Sequence, residues 1–140
     1  MKWTISLTED IATCLALRRA VFIEEQGVSV ADEIDGRDAD AHHVLATSAG
    51  APLGCARILV SGDTANIGRV CVLKEARSRG LGAAIIKICL DVARTQPGVT
   101  RAKLGAQTHA LPFYEKLGFE AFGPVYRDAG IPHRDMERAL

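Results

Sequence analysis

From Trp3 to Leu7 apolar and polar residues alternate, the period of a half-buried strand. Thr8 or Asp10 can then cap a following helix, with acidic residues suited to its first turn. The helix is expected to run to about Gln26, with Cys14, Leu17 and Val21 on one stripe and Leu15 and Phe22 on the next. Gly27 ends it. Residues 28–41 lose the periodicity and carry Asp32, Glu33, Asp35, Asp38 and Asp40, an irregular acidic loop with room for one helical turn. Three strands of a meander follow at Val44–Thr47, Leu53–Val60 and Asn66–Leu73, divided by Gly50-Ala51-Pro52 and Ser61-Gly62-Asp63 turns. From Leu81 to about Gln96, Leu81, Ala84, Ile85, Ile88, Cys89 and Val92 fall on one helical face until Pro97-Gly98 stops it. Ala102–Ala106 reads as a short strand. Pro112 opens a helix that Gly118 closes, and strands near Glu120–Tyr126 and Arg134–Ala139 finish the chain. No repeat or linker interrupts this order, so residues 1–140 read as one α+β domain.

At 140 residues the chain can bury one real core without staples. Seventeen basic residues balance seventeen acidic ones, which leaves no global field for phosphate contacts and argues against a nucleic-acid partner. Arg77 with Arg79 is too short a cluster for that role. Cys14, Cys55, Cys71 and Cys89 show no CxxC pairing and no metal-finger spacing, so they read as reduced core residues and no metal site is expected. The start, MKWTISLTED, lacks the apolar region of a signal peptide, and no run reaches the length of a membrane span. A cytoplasmic protein without a membrane partner is the expectation.

Chemistry is written most clearly where an apolar strand ending near Val72 runs into Arg77-Ser78-Arg79-Gly80-Leu81-Gly82 and directly on into the helix. Glycines at such a turn let backbone N–H groups converge on a small volume without Cβ atoms in the way. The helix N-terminus adds positive partial charge, so the turn suits an anion such as a diphosphate, with Arg77 and Arg79 able to supplement it. No Gly-Lys-Ser/Thr follows, which excludes a P-loop. Arg101 and Lys103 stand where a dinucleotide site would carry a ribose-binding acid. Alone, the turn fits a structural role as well as a phosphate-binding one. Further on, Phe113-Tyr-Glu-Lys-Leu-Gly-Phe119 places Phe113, Leu117 and Phe119 as packing residues and Tyr114 as a phenol that either packs or lends a proton.

Together, Arg77-x-x-Gly80-x-Gly82 and FYEKLGF resemble the GNAT superfamily of N-acetyltransferases, whose coenzyme A motif has the form Q/R-x-x-G-x-G/A. Ser78 departs from the pattern, since many members carry glycine there. The resemblance spans essentially the whole chain. It implies a mixed, mostly antiparallel twisted sheet of six to seven strands flanked by about four helices. It also implies acetyl-CoA as co-substrate and direct attack by a primary amine of a small molecule or peptide. By position, backbone N–H groups near Val72 to Lys74 would meet the pantetheine arm, Val70, Cys71 and Val72 would border the cofactor, and an amide of a bulge around Arg69–Val72 would polarise the thioester carbonyl. Arg77, Ser78, Arg79, Gly80, Leu81 and Gly82 would hold the pyrophosphate, with Ala83, Phe113 and Tyr114 bordering the cofactor and Tyr114 as general acid. The segments Leu17–Gln26, Asp32–Asp35 and Ala129–His133 resemble the bacterial ElaA-like and YjcF-like branch. A homodimer is left open. A non-catalytic acyl-CoA-binding module and an acyl-homoserine-lactone-synthase-like enzyme are the rival readings.

An ammonium acceptor must lose a proton before it attacks. Glu24, Glu25, Glu33, Asp35, His42, His43 and His133 are the candidate bases. Arg18, Arg19, Phe22, Glu25 and Gln26 lie on adjoining parts of one face of the first helix. Arg19, Glu25, Gln26 and His43 are expected on the acceptor side, with Glu25 a catalytic candidate. The competing reading of Glu25 is a salt bridge to Arg19 or Arg57. The acidic loop reads most simply as a solvated face, and otherwise as an acceptor mouth that attracts cationic amines.

Overall fold

The computed structural model describes residues 2–140. Strand β1 (Thr4–Thr8) leads into helix α1 (Ile11–Arg18), capped by Asp10, whose carboxylate accepts from the Thr13 amide at 3.1 Å. The helix does not continue in α register to Gln26. From Arg19 to Glu25 it widens into a π-helical segment. Ser29 caps the short α2 (Val30–Glu33), and a 3₁₀ turn covers Asp38–Asp40. The meander is β2 (His42–Ser48), β3 (Ala51–Ser61) and β4 (Thr64–Val72). Then come α3 (Leu81–Arg94), β5 (Arg101–Gln107), α4 (Leu111–Glu115), β6 (Glu120–Asp128) and β7 (Ile131–Ala139).

The seven strands form one sheet in the order β1-β2-β3-β4-β5-β7-β6. Neighbours are antiparallel except β4 and β5, so the α+β class and the mixed, mostly antiparallel sheet are as expected. Because β3 is covered on both faces, every residue from Leu53 to Leu59 is buried. Alternation sends Ala56 and Ile58 to a large core under Leu81, Ile85, Ile86 and Cys89 of α3. Cys55 goes to a smaller core with Cys14, Leu17 and Val21 of the first helix. All four cysteines are buried free thiols.

The acidic loop is not a solvated face. Arg18, 1% exposed, donates through two nitrogens to the Glu33 carboxylate and through a third to Asp38 at 2.7 Å. Arg57 donates to Asp35 and to Asp38. Arg69 donates to the Glu33 carbonyl at 2.9 Å. A buried arginine must be paired, and only this loop brings carboxylates over the sheet at that place. The Arg57 hydrogen bonds hold the Asp35 carboxyl well below its ordinary range.

Candidate functional site

Strands β4 and β5 pair over only three positions, Thr64–Arg101, Ala65–Ala102 and Asn66–Lys103. Beyond Asn66 the first stays with β3, while the second stays with β7. The fork encloses a cavity of about 390 Å³, lined by residues 67–70 on one side and 104–107 on the other. Phe22 and Gln26 of the π segment, with Tyr114, Tyr126 and His133, complete the wall. A bulge opens the fork on the β4 side. The β3 register jumps from Cys55–Cys71 to Arg57–Gly68, which leaves Arg69 and Val70 opposite Ala56 alone. Arg69 sits there at φ 50°, a left-handed conformation held by its hydrogen bonds to the α2 backbone.

The turn after β4 ends in Gly80 at φ 82°, ψ 5°, where a side chain would be strained, and α3 starts at the next residue. The Ala84 amide bonds the Gly80 carbonyl at 3.1 Å, so the amides of Leu81, Gly82 and Ala83 have no acceptor within the helix. Gly82 lies under the Phe113 ring, whose nearest carbon is 3.4 Å from where a Cβ would stand. Ser78, in place of the more usual glycine, has φ 64°. Ser78 and Arg79 are exposed. The Arg77 side chain is already engaged. Its Nε donates to the Val72 carbonyl at 2.9 Å and its two Nη atoms donate to the Glu25 carboxylate at 2.6 Å.

Tyr114 lines the cavity from α4, packed edge-on between Phe113 at 4.9 Å and Phe119 at 6.0 Å. Burial pushes its phenol up to about 12, so it stays protonated across the physiological range. Tyr126 and His133, which also line the cavity, face each other across the β6–β7 ladder, stacked at 6.0 Å. The Tyr126 hydroxyl donates to Asp135 at 2.7 Å. It also passes so close to Gly105 that a Cβ there would lie 2.5 Å from it.

The structure therefore gathers some of the sequence candidates and separates others. Val70, Tyr114 and Gln26 line the cavity. The Cys71 side chain points away from it, with its Sγ 3.5 Å from that of Cys55 in the smaller core. Arg19, Glu25 and His43 do not reach the cavity. Arg19 is exposed beside Ile23 and Ile34. His43 is buried under the acidic loop, its Nε2–H donating to the Asp38 carbonyl at 2.8 Å. Glu25 is turned to Arg77 by the π register, which points Phe22 and Gln26 inward instead. Its salt bridge is thus with neither Arg19 nor Arg57. Sequence reasoning missed Tyr126, Gln107, His109 and Gly105 as lining residues, and Arg18 as the centre of the ionic network. Arg18 did leave a signal, since it is four residues from Cys14 and three from Val21, squarely on the buried stripe.

The model of the acetyltransferase (GNAT) domain family matches residues 12–140. Among curated proteins, YjcF of Bacillus subtilis, named an uncharacterized N-acetyltransferase, is 35% identical over 97% of this chain and 98% of its own. Among solved structures, Escherichia coli ElaA is 31% identical with a TM-score of 0.84, covering 98% of each chain. An acyl-CoA N-acyltransferase from Pseudomonas aeruginosa is 34% identical with a TM-score of 0.84, covering 99% of each chain. The forked sheet, the glycine turn and these likenesses together place the chain in the GNAT acetyltransferase family, alongside ElaA and YjcF.

Proposed function

We propose that the protein transfers the acetyl group of acetyl-CoA to a primary amine of a small molecule or peptide. The observation that carries this is the fork itself, bordered by the free edge of β4 beyond Asn66 and by Tyr114. The turn that follows β4 carries the amides of Leu81, Gly82 and Ala83, which have no acceptor within the helix. Acetyl-CoA would supply an acyl group activated as a thioester.

The residues present fit that molecule. The bare Gly80–Gly82 surface at a helix N-terminus suits a diphosphate, which a side chain at either position would obstruct. The backbone of Val70, Cys71 and Val72 has no strand along its outer edge, and its groups there other than the Val72 carbonyl, which Arg77 holds, can hydrogen-bond an extended pantetheine arm. The amide freed by the bulge can polarise a carbonyl oxygen within the fork. Tyr114, protonated throughout the working range, gives its hydroxyl proton to the departing thiolate.

Purified protein, acetyl-CoA and a panel of primary amines, followed by release of free thiol, tests the reading. Amine-dependent release is the expected result. Thermal stabilisation by CoA without turnover on any amine would make the chain a binding module and overturn the enzyme reading.

A further inference from the structure

The reaction proposed above leaves one role open, the group that takes a proton from the incoming ammonium. Of the carboxylates and imidazoles considered from the sequence, only Glu33 and His133 line the cavity. Both Glu33 oxygens are taken by Arg18, so removing a proton there would mean breaking a buried ion pair. Tyr126, from β6, donates to Asp135. Arg69, from β4, is a cation. Asp32 of α2 and Asp128 at the end of β6 are exposed. His109 is exposed, and its Nε2–H donates to Gln107 at 2.8 Å.

His133 differs from all of these. Its Nδ1 lies 2.7 Å from the Ile131 carbonyl oxygen, which can only accept, so the proton is on Nδ1. The neutral ring then carries its lone pair on Nε2. The Tyr126 ring stacks on it with an interplanar angle of 23°, and the Tyr126 hydroxyl is itself fixed on Asp135. Tyr126 can take that place because Gly105 has no side chain. A ring locked in tautomer and orientation, half-buried at the cavity that Tyr114 also lines, is the arrangement a general base needs.

We propose that His133 is the general base of the acetyl transfer, receiving the ammonium proton at Nε2, and that the Tyr126–Asp135 pair positions it. This rests on the N-acetyltransferase reading. One proton passes from the ammonium nitrogen to His133 and on to water. The nitrogen then bonds the acetyl carbon as the carbon–sulfur bond breaks. The second nitrogen proton, lost as the amide forms, replaces the one that Tyr114 gives to the thiolate.

Two measurements test it. Histidine ¹⁵N spectra of the free protein, assigned with His133→Gln, are expected to put the neutral ring's proton on Nδ1, and a proton on Nε2 overturns the proposal. Thiol release is then compared for primary alkylamines, which are ammonium ions at neutral pH, and for hydroxylamine, which is already neutral. His133→Ala should lower kcat for the alkylamines about 10²-fold or more, lose the acidic limb of the parent pH profile, and affect hydroxylamine less than tenfold. Thermal stabilisation by CoA should be unchanged. Equal losses for both nucleophiles, or an alkylamine rate within twofold of the parent, would show that His133 is not the base while leaving the enzyme reading intact. A parent inactive on every amine overturns both.

Discussion

Arg77 holds Glu25 through two parallel hydrogen bonds of 2.6 Å across 52 positions of sequence. The same guanidinium fixes the Val72 carbonyl at the end of β4. One side chain therefore ties the glycine turn to the strand before it and to the π segment whose Phe22 and Gln26 line the cavity. Both partners are more than a third exposed, at 37% and 39%, so geometry and not buried charge is its main contribution.

Glu25→Gln should accordingly leave the amine KM unchanged and cost no more than about 1 kcal/mol of stability. The Arg77 hydrogen bonds lower the Glu25 pKa, so the contribution is present above the unfolded carboxyl pKa and is lost as pH falls through the lowered one. Urea unfolding of parent and variant should differ at neutral pH and converge in acid. A raised amine KM would return Glu25 to the acceptor site.

Tyr114→Phe should keep the fold and the thermal stabilisation by CoA, because its ring contacts with Phe113 and Phe119 survive. Turnover should fall about 10²-fold. With the phenol pushed up to about 12, no basic limb attributable to Tyr114 should appear in the parent rate profile below pH of about 10. Steady-state rates across pH check both statements, and an undiminished rate in the variant assigns Tyr114 to packing alone.

Arg18→Met should be far more costly. It strands the Glu33 carboxylate, 3% exposed, without its main partner, a loss of about 3–5 kcal/mol. Replacing Glu33 by Gln in the same chain removes the stranded charge and should recover part of that loss. Denaturant melts of the two single variants and the double give the coupling directly. Additive losses would mean that the pair is not a unit.

Ser78→Gly should stabilise the protein. A non-glycine residue at φ 64° carries about 1–2 kcal/mol of strain, against about 0.4–1 kcal/mol for the greater freedom of glycine in the unfolded chain. A net gain of between about 0 and 1.6 kcal/mol is expected in urea melts, and a loss would mean that the Ser78 side chain has a role of its own.

Elements whose signal is local were legible in the sequence. The α3 stripe, the Asp10 cap and the glycine turn each follow from residues within a few positions of one another, and the meander from its turn residues. The first helix was legible in its buried stripe but not in its π register, because a backbone chooses between i+4 and i+5 acceptors by what it packs against. The Glu25–Arg77 pair has no period that could announce it. Neither does the meeting of His133 with Tyr126, which depends on strand β7 returning between β5 and β6. The acidic loop misled for the same reason. Its carboxylates look like solvent-facing charges until Arg18, Arg57 and Arg69 are found beneath them.

The three-position pairing of β4 with β5 bears on self-association as well as on binding. Past Asn66, one edge of each strand is left without a neighbouring strand, and a bare strand edge on a protein surface invites another chain to add to it. Here the two bare edges face one another across a narrow cleft. The π segment and β7 stand at its walls, and the Arg69–Val70 bulge breaks the flat run of amides. A slender extended molecule can enter and use those backbone groups, but a second folded chain cannot. The fold thus keeps unspent hydrogen-bonding capacity in its sheet without making that capacity an aggregation site.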